Sequence, residues 1–252
     1  MNPETAPLPT ILLVVPTGPL IYAKFVAHLW SLSENQGQRA LPIIRAMPIG
    51  ALVAMNMREV AAATLEPTIP HWDRMVVIET DMLPPHDALV KHALHTQPIV
   101  GSVYYLHEAP HHLVAMRDHG NGPQWMSKAE QNEIEDNPGL HAVDMVGLGC
   151  TSISRAVFEE WPKEVPIFRN SIMPDALQTP GTRGEVSHDY WFCLKAREFQ
   201  VPIFIDSTIV CDQLTLVPIG RRQHEQHQGF VPALADAPDV DLAIDDLAFV
   251  RT

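Results

Sequence analysis

Short apolar runs alternate with amphipathic stretches along this chain. The runs are rich in Val and Ile and end at Pro, Gly or acidic residues, which predicts buried strands at residues 11–15, 43–47, 75–79, 99–105 and 203–206. Apolar residues spaced three or four apart predict helices at residues 20–32, 53–65, 87–95, 155–161 and 188–199. Because strand and helix alternate through the first hundred residues, the pattern indicates an α/β fold with a mainly parallel sheet.

Two segments lack this periodicity. Residues 107–137 are polar and predict a long loop or a small lobe, and residues 165–185 are rich in Pro and Gly and predict a second loop. Loops of this length inside a compact domain are often functional. From residue 233 the chain becomes acidic and rich in Pro and Ala. We therefore expect one domain over residues 1–232 and an acidic extension over residues 233–252.

The composition is that of a globular protein with an excess of acid. The chain has 252 residues, of which 46% are apolar, and 17 basic against 30 acidic side chains give a net charge of −13. Such a charge argues against broad binding of phosphate backbones, although Arg39, Arg45 and the pair Arg221–Arg222 leave room for a local basic face. The longest apolar run, residues 11–15, is too short to cross a bilayer, so we expect no membrane insertion and a cytoplasmic location.

The cysteines and histidines give little sign of a metal or disulfide framework. The three cysteines form no C-x-x-C pair and are odd in number, so we expect buried reduced thiols. Four histidines of the polar segment invite a zinc interpretation, but their spacing has no helical or finger context and no cysteine partner; they are His107, His111, His112 and His119. Tyr104, Tyr105 and Trp125 could stack on a sugar or a base, or pack in the core.

The most informative stretch joins a predicted strand to two carboxylates. Glu79 and Asp81 follow the apolar run from Met75 and precede Pro84 and Pro85. Alternation along a strand places the two side chains on one face, at the edge where α/β sheets bind ligands. Two carboxylates there could hold Mg²⁺ or Mn²⁺ and so neutralise a diphosphate. The alternative is a solvated strand end.

Further motifs accompany this acidic pair in a fixed order. In chain order, and with the segment of the acidic pair included, the motifs are ILLVVPTG at residues 11–18, AMNMR at 54–58, ETDMLPP at 79–85, IVGSVYY at 99–105, DMVGLGCTSISR at 144–155, SHDYWFCL at 187–194 and IDSTIVCDQL at 205–214. Together they resemble the small single-domain GT-A glycosyltransferases of bacteria and phages, which use nucleotide sugars. The resemblance covers about residues 11–220.

The resemblance implies a fold, an activity and a cofactor. The fold is a Rossmann-like α/β/α sandwich with a mostly parallel central sheet, with a donor half at about residues 1–106 and an acceptor half at about residues 138–220. The activity is transfer of a sugar from a nucleoside-diphosphate donor, with a UDP-sugar favoured, to a hydroxyl group. Mn²⁺ or Mg²⁺ is the expected cofactor. The acceptor is expected to be a glycan, a lipid-linked intermediate, a protein or a hydroxymethylated DNA base.

The resemblance also assigns roles to residues. It implies donor binding by Pro16, Thr17, Arg58, Glu79, Thr80 and Asp81, and acceptor binding by Tyr104, Asp144, Gly147 and Gly149. It implies a catalytic role for Asp189, with His188 as a weaker candidate, and cation binding by Glu79, Asp81, Asp212 and Gln213. Two positions depart from the family pattern: the first carboxylate is Glu79 instead of Asp, and Gln213 stands where a closing His is common. His224 or His227 could then supply a nitrogen ligand.

Alternatives remain open at several of these positions. Asp189 could simply stabilise the start of a helix, and Arg58 could be a solvent-facing side chain. The chain could also be a glycosyltransferase-like module that binds a partner without turnover. A sugar nucleotidyltransferase is disfavoured, because no basic residue follows the first strand before Lys24. The stereochemistry and the oligomeric state are left undetermined.

Overall fold

The computed structural model describes residues 8–17, 21–34, 41–47, 57, 60, 61, 63, 65–106, 111–172 and 185–214. The strands in these ranges are β1 Ile11–Val14, β2 Ile43–Ala46, β3 Arg74–Ile78, β4 Met82–Leu83, β5 Ile99–Val103, β6 Ala115–Asp118, β7 Pro123–Trp125, β8 Leu140–Val143, β9 Met145–Val146, β10 Cys150–Ser154, β11 Ser171–Ile172, β12 Glu185–Val186, β13 Ile203–Val210 and β14 Asp212–Gln213. The helices are α1 Ala23–Glu34, α2 Ala88–Leu94, α3 Lys128–Asp136, α4 Arg155–Glu160 and α5 His188–Glu198.

A seven-stranded sheet organises the described part of the chain. Its strand order is β2-β1-β3-β10-β5-β13-β8. Five strands run in one direction, whereas β10 and the edge strand β8 run in the other. The predicted α/β fold with a mainly parallel central sheet is therefore confirmed. Three smaller sheets accompany it: β11-β12, β14-β4 and β7-β6-β9.

Apolar side chains cover both faces of the central sheet. Along β1, Leu12 and Val14 join a core cluster that contains Trp72 and Phe192, whereas Ile11 and Leu13 join a second cluster on the other face. Burial on both faces explains why the strands are continuous apolar runs. The three cysteines are buried and unpaired, as expected; they are Cys150, Cys193 and Cys211.

A buried polar cluster attaches α2 to the sheet. The ring of His92 on α2 lies 3.1 Å from Ser152 Oγ through Nδ1 and 3.0 Å from Ser102 Oγ through Nε2. Arg74 donates to Ser152 Oγ at 3.2 Å, and burial lowers the pKa of Arg74 to about 10. Because buried polar groups are costly without partners, these bonds fix the position of α2 on β5 and β10.

Of the two alternatives predicted for residues 107–137, a long loop or a small lobe, the described part is a small lobe with regular structure. Residues 111–137 contain the β6–β7 hairpin and helix α3. The strands are three and four residues long and α3 is polar, so hydrophobic periodicity is weak there. The helix start nevertheless had a readable signal, since Ser127 and Glu130 form a capping box.

Other predictions fall partly or wholly outside the described residues. The helix predicted at residues 53–65 is described at 57, 60, 61 and 63, which are helical, and at 65, which lies in a turn. The loop predicted at 165–185 is described over 165–172, where β11 begins at Ser171, and at 185. The predicted domain limit at residue 232 lies outside, and the chain divides into units of Met1–Thr215 and Leu216–Thr252. In the described ranges no helix is both long and apolar enough to cross a bilayer.

A nearly buried ion pair lies where β13 changes register against β5. His95 Nε2 is 3.1 Å from Asp206 Oδ2, and the two side chains are 12% and 6% exposed. The backbone N–H of Thr208 donates to Asp206 Oδ1 at 2.8 Å. Burial alone would raise the pKa of Asp206, but the hydrogen bonds from His95 and Thr208 lower it to about 2.

We expect Asp206→Asn to lower the free energy of unfolding by about 2 kcal/mol at pH 7. The folded-state pKa of Asp206 lies below the ordinary value of 3.8, so this stabilisation is present above that value and is lost as the pH falls toward 2. The difference between variant and wild type should therefore shrink below pH 4, as measured by urea unfolding at several pH values. The control is Glu198→Gln, at a carboxylate that is 55% exposed, and it should change the free energy of unfolding little. An Asp206→Asn effect that is no larger than the control would contradict the assignment.

Candidate functional site

The strands bring the predicted site residues to one edge of the sheet. Val14 lies opposite Val77, Val103 lies opposite Val210, and Cys150 lies opposite Ile78, so the carboxyl ends of β1, β3, β5 and β13 meet the amino end of β10. The predicted residues that follow or precede these ends are Pro16, Thr17, Glu79, Thr80, Asp81, Tyr104, Gly147, Gly149, Asp212 and Gln213. This is the edge at which open α/β sheets bind ligands.

Asp81 and Gln213 meet through the pairing of β4 with β14. Gln213 Nε2 donates to Asp81 Oδ2 at 3.0 Å, and the backbone N–H of Leu214 donates to the Asp81 carbonyl at 2.6 Å. Gln213 Oε1 is buried and has no hydrogen-bond partner among the described residues. The side chain of Asp212, the neighbouring residue, is exposed. An amide oxygen and a carboxylate, both suitable for a hard cation, are thus adjacent.

Glu79 contacts the first residue of helix α5. His188 Nε2 lies 3.7 Å from Glu79 Oε1, and its side chain is 15% exposed. Burial alone would lower the pKa of His188, but the carboxylates of Glu79 and Asp189 raise it above its usual value. The backbone N–H of Glu79 also donates to the Gly149 carbonyl at 2.8 Å. These contacts connect the acidic strand end to the helix that carries Asp189.

Tyr104 occupies the space beside the two glycines before β10. Its ring is buried, and its hydroxyl accepts a hydrogen bond from the Gly149 N–H at 3.1 Å. A Cβ at Gly147 would overlap the Tyr104 hydroxyl, and a Cβ at Gly149 would lie 3.0 Å from the same ring. Burial, then the negative charges of Glu79 and Asp189, raise the pKa of Tyr104 well above its usual value. Close packing against Tyr104 is therefore sufficient to explain why residues 147 and 149 are glycines.

A cavity of about 250 Å³ lies between the β6–β7 hairpin and the start of α5. Asp189 and Gly147 line it, together with Trp125, for which the sequence suggested stacking on a sugar or a base. The sequence did not assign the other lining residues to a site: Leu106, Val114, Ala115, Met116, Met145, Val146, Ser187 and Tyr190. One oxygen of Asp189 accepts the N–H of Tyr190 at 2.8 Å, so the carboxylate of this lining residue also stabilises the start of the helix. In the sequence, Trp125 stood out because it is a large aromatic residue within an otherwise polar segment.

The remaining predicted residues lie elsewhere. Asp144 is 3.1 Å from Arg197 Nε and accepts the Asp118 N–H at 2.8 Å, so its described contacts attach the hairpin to α5. Acceptor binding by Asp144 stays a prediction. Several predicted residues lie outside the described part of the chain: Arg39, Arg58, His107, Arg221, Arg222, His224 and His227.

The described histidines of the polar segment have separate partners. His111 bonds to the Leu106 carbonyl, His112 stacks on Trp125, and His119 pairs with Glu130. Among the described residues, no three His, Cys, Asp or Glu side chains converge on a point that could hold a metal ion. Any cation site at the sheet edge in this part of the chain would therefore need oxygen from another residue type, as Gln213 offers.

The fold resembles solved structures, although no protein-family model and no curated protein matches the sequence. A197 from STIV has a TM-score of 0.53 and 14% identity, covering 82% of this chain and 86% of its own. The catalytic domain of Drosophila β1,4-galactosyltransferase 7 in complex with xylobiose has a TM-score of 0.46 and 12% identity, and the match covers 88% of this chain and 80% of that domain. A mutant of that enzyme in complex with manganese, UDP-Gal and xylobiose has a TM-score of 0.44 and 12% identity, and the match covers 87% of this chain and 79% of the mutant chain. The structural neighbours of this chain thus include glycosyltransferases.

We expect Tyr104→Phe to destabilise the fold by about 1–3 kcal/mol, because it leaves the buried N–H of Gly149 without its acceptor. The neighbouring Tyr105→Phe is the matched control: the Tyr105 hydroxyl donates to Glu135 at an exposed position, so its loss should cost about 0.5 kcal/mol. Urea unfolding of the two variants measures both values. If both variants lose the same free energy of unfolding, the hydrogen bond from the Gly149 N–H to Tyr104 does not contribute to stability.

Proposed function

We propose that this chain is a glycosyltransferase that moves a sugar from a nucleoside-diphosphate donor to a hydroxyl group. The observation that carries the proposal is the contact between Glu79 and His188. It places the acidic strand end, where a diphosphate would bind, beside the helix turn that carries Asp189. The order of motifs along the sequence supports the same activity.

The donor side is formed by the ends of β1 and β3. Pro16, Thr17 and Thr80 lie at the sheet edge where the nucleotide of the donor, with a UDP-sugar favoured, would bind. The residues fit a divalent cation, because Gln213 Oε1 is buried next to the Asp81 carboxylate and has no partner within the part of the chain that the structure describes. Asp81 and Gln213 would hold Mn²⁺ or Mg²⁺, with Glu79 close by. Such an ion, when bound, supplies positive charge that stabilises a leaving diphosphate.

Asp189 is the proposed general base. It lines the cavity, so an acceptor hydroxyl bound there can lie within hydrogen-bond reach of its carboxylate. The carboxylate takes the hydroxyl proton while the acceptor oxygen bonds to the anomeric carbon of the donor. The bond from that carbon to the diphosphate oxygen breaks, and the nucleoside diphosphate leaves with the electron pair. His188 has the different task of holding Glu79.

Donor binding should depend on Asp81. With a saturating UDP-sugar and Mn²⁺ or Mg²⁺, we expect the melting temperature to rise by about 5–10 °C, because a ligand at 100 times its Kd stabilises the folded state by about 2.7 kcal/mol. Asp81→Asn should abolish the rise, whereas Asp87→Asn, at an exposed carboxylate that pairs with Lys91, should keep it. Differential scanning fluorimetry with UDP-, GDP-, CDP- and ADP-sugars is the measurement. No rise with any of them would contradict the proposed donor site.

Transfer should depend on Asp189. We expect Asp189→Asn to lower the release of nucleoside diphosphate about 10²–10⁴-fold, since it removes the proton acceptor, and to keep the donor-induced rise in melting temperature. Glu198→Gln, an exposed position of the same helix, should retain full activity. Transfer that survives in Asp189→Asn would exclude this residue as the base. Donor binding without turnover in the wild type would favour a binding module without catalysis.

A further inference from the structure

We propose that the cavity between the β6–β7 hairpin and α5 binds a single neutral pyranose ring of the acceptor. The ring would lie with its C–H face on Trp125 and a hydroxyl toward Asp189. This inference rests on the proposed function and specifies the acceptor of that same site. It follows from the size, the lining and the charge of the cavity.

The size and lining of the cavity fit one sugar ring. Its volume of about 250 Å³ lies just below the range of about 300–1,000 Å³ that holds drug-sized ligands, so one ring fits better than an oligosaccharide. The residues that line it are mostly apolar or aromatic, and those with polar side chains are Asp189, Ser187 and Tyr190. A pyranose has the matching chemistry, because it combines an apolar C–H face with hydroxyl groups at its rim.

The indole of Trp125 is held in place before any ligand binds. Trp125 lies opposite Met116 in the hairpin and is 40% exposed. The ring of His112 lies parallel to it, with the ring centroids 5.8 Å apart. The turn of the hairpin is closed by Asp118, whose carboxylate accepts the N–H groups of Gly120 and Gly122 at 2.7 and 3.0 Å. A platform fixed in this way loses little conformational freedom on binding.

The charges around the cavity favour a neutral occupant. No Lys or Arg is among the described residues that line it. Arg197 pairs with Asp118 at 2.7 Å and with Asp144 at 3.1 Å, and Arg117 pairs with Glu133 at 3.3 Å. These guanidinium groups already have carboxylate partners. An anionic sugar would be repelled by Asp189, and a nucleic acid would find few cations for its phosphates.

Direct binding to the full-length chain tests the inference without a donor. Saturation-transfer NMR with methyl glycosides of neutral hexoses and pentoses should show signals from the ring C–H protons of at least one of them. Trp125→Ala should abolish these signals and Trp125→Phe should keep most of them, while Trp30→Ala, at an exposed indole of α1, should leave them unchanged. If none of the glycosides binds, or if Trp125→Ala binds as well as the wild type, the inference is overturned.

Steady-state kinetics separate this inference from the proposed function. With the best-bound glycoside as acceptor, Trp125→Ala should raise the acceptor KM at least tenfold, whereas Trp30→Ala should leave the acceptor KM, the donor KM and the hydrolysis of the donor unchanged. Donor hydrolysis and the donor-induced rise in melting temperature depend on the proposed donor site and not on the acceptor cavity. If both are absent, the proposed function fails, whatever the result for Trp125. Transfer to an oligodeoxynucleotide that carries 5-hydroxymethylcytosine, with no transfer to any pyranoside, would overturn the inference in favour of a flipped base.

Discussion

The packing of Tyr104 on the Gly147–Gly149 segment is the constraint on which the site depends. β10 is inserted antiparallel between β3 and β5, so its amino end lies beside the carboxyl ends of both neighbours. The Tyr104 hydroxyl accepts the Gly149 N–H, and the Gly149 carbonyl in turn accepts the Glu79 N–H. Without side chains at the two glycines, the ring fits against the backbone and buries its hydroxyl with a partner. The packing of Tyr104 thereby fixes the position of the acidic strand end relative to the segment that precedes β10.

Helix α5 connects the proposed donor side to the proposed acceptor side. Its first turn provides His188 against Glu79 and Asp189 in the cavity wall. Its last turn provides Arg197, which holds the β6–β7 hairpin through Asp118 and matches the negative end of the helix dipole. Because the hairpin carries Trp125, the proposed base and the proposed sugar platform are positioned by the two ends of one helix. A change in the tilt of α5 would move both together.

Hydrophobic periodicity predicted the central strands well, because strands buried on both faces are continuous apolar runs. It failed where stability comes from polar contacts. Helix α3 depends on the capping box of Ser127 and Glu130, and β6 and β7 are short and partly exposed. At the site, motif order placed Asp81 and Gln213 at one sheet edge, although they are 132 residues apart. The Glu79–His188 contact and the position of Trp125 in the cavity wall depend on how α5 and the hairpin pack, which no local pattern encodes.

The amide of Gln213 changes the chemistry of the sheet edge relative to the imidazole that is common at this position. An imidazole offers one nitrogen lone pair, and it loses that lone pair when it is protonated near pH 6.5. The Gln213 amide does not titrate. Its Nε2 donates to Asp81, and its Oε1 has no partner in the described ranges. An amide and carboxylates form an all-oxygen set, which suits hard cations such as Mg²⁺. Gln213, at the position where the resemblance of the sequence implies an imidazole, is therefore compatible with the proposed cation site, and it would remove one source of pH dependence from cation binding there.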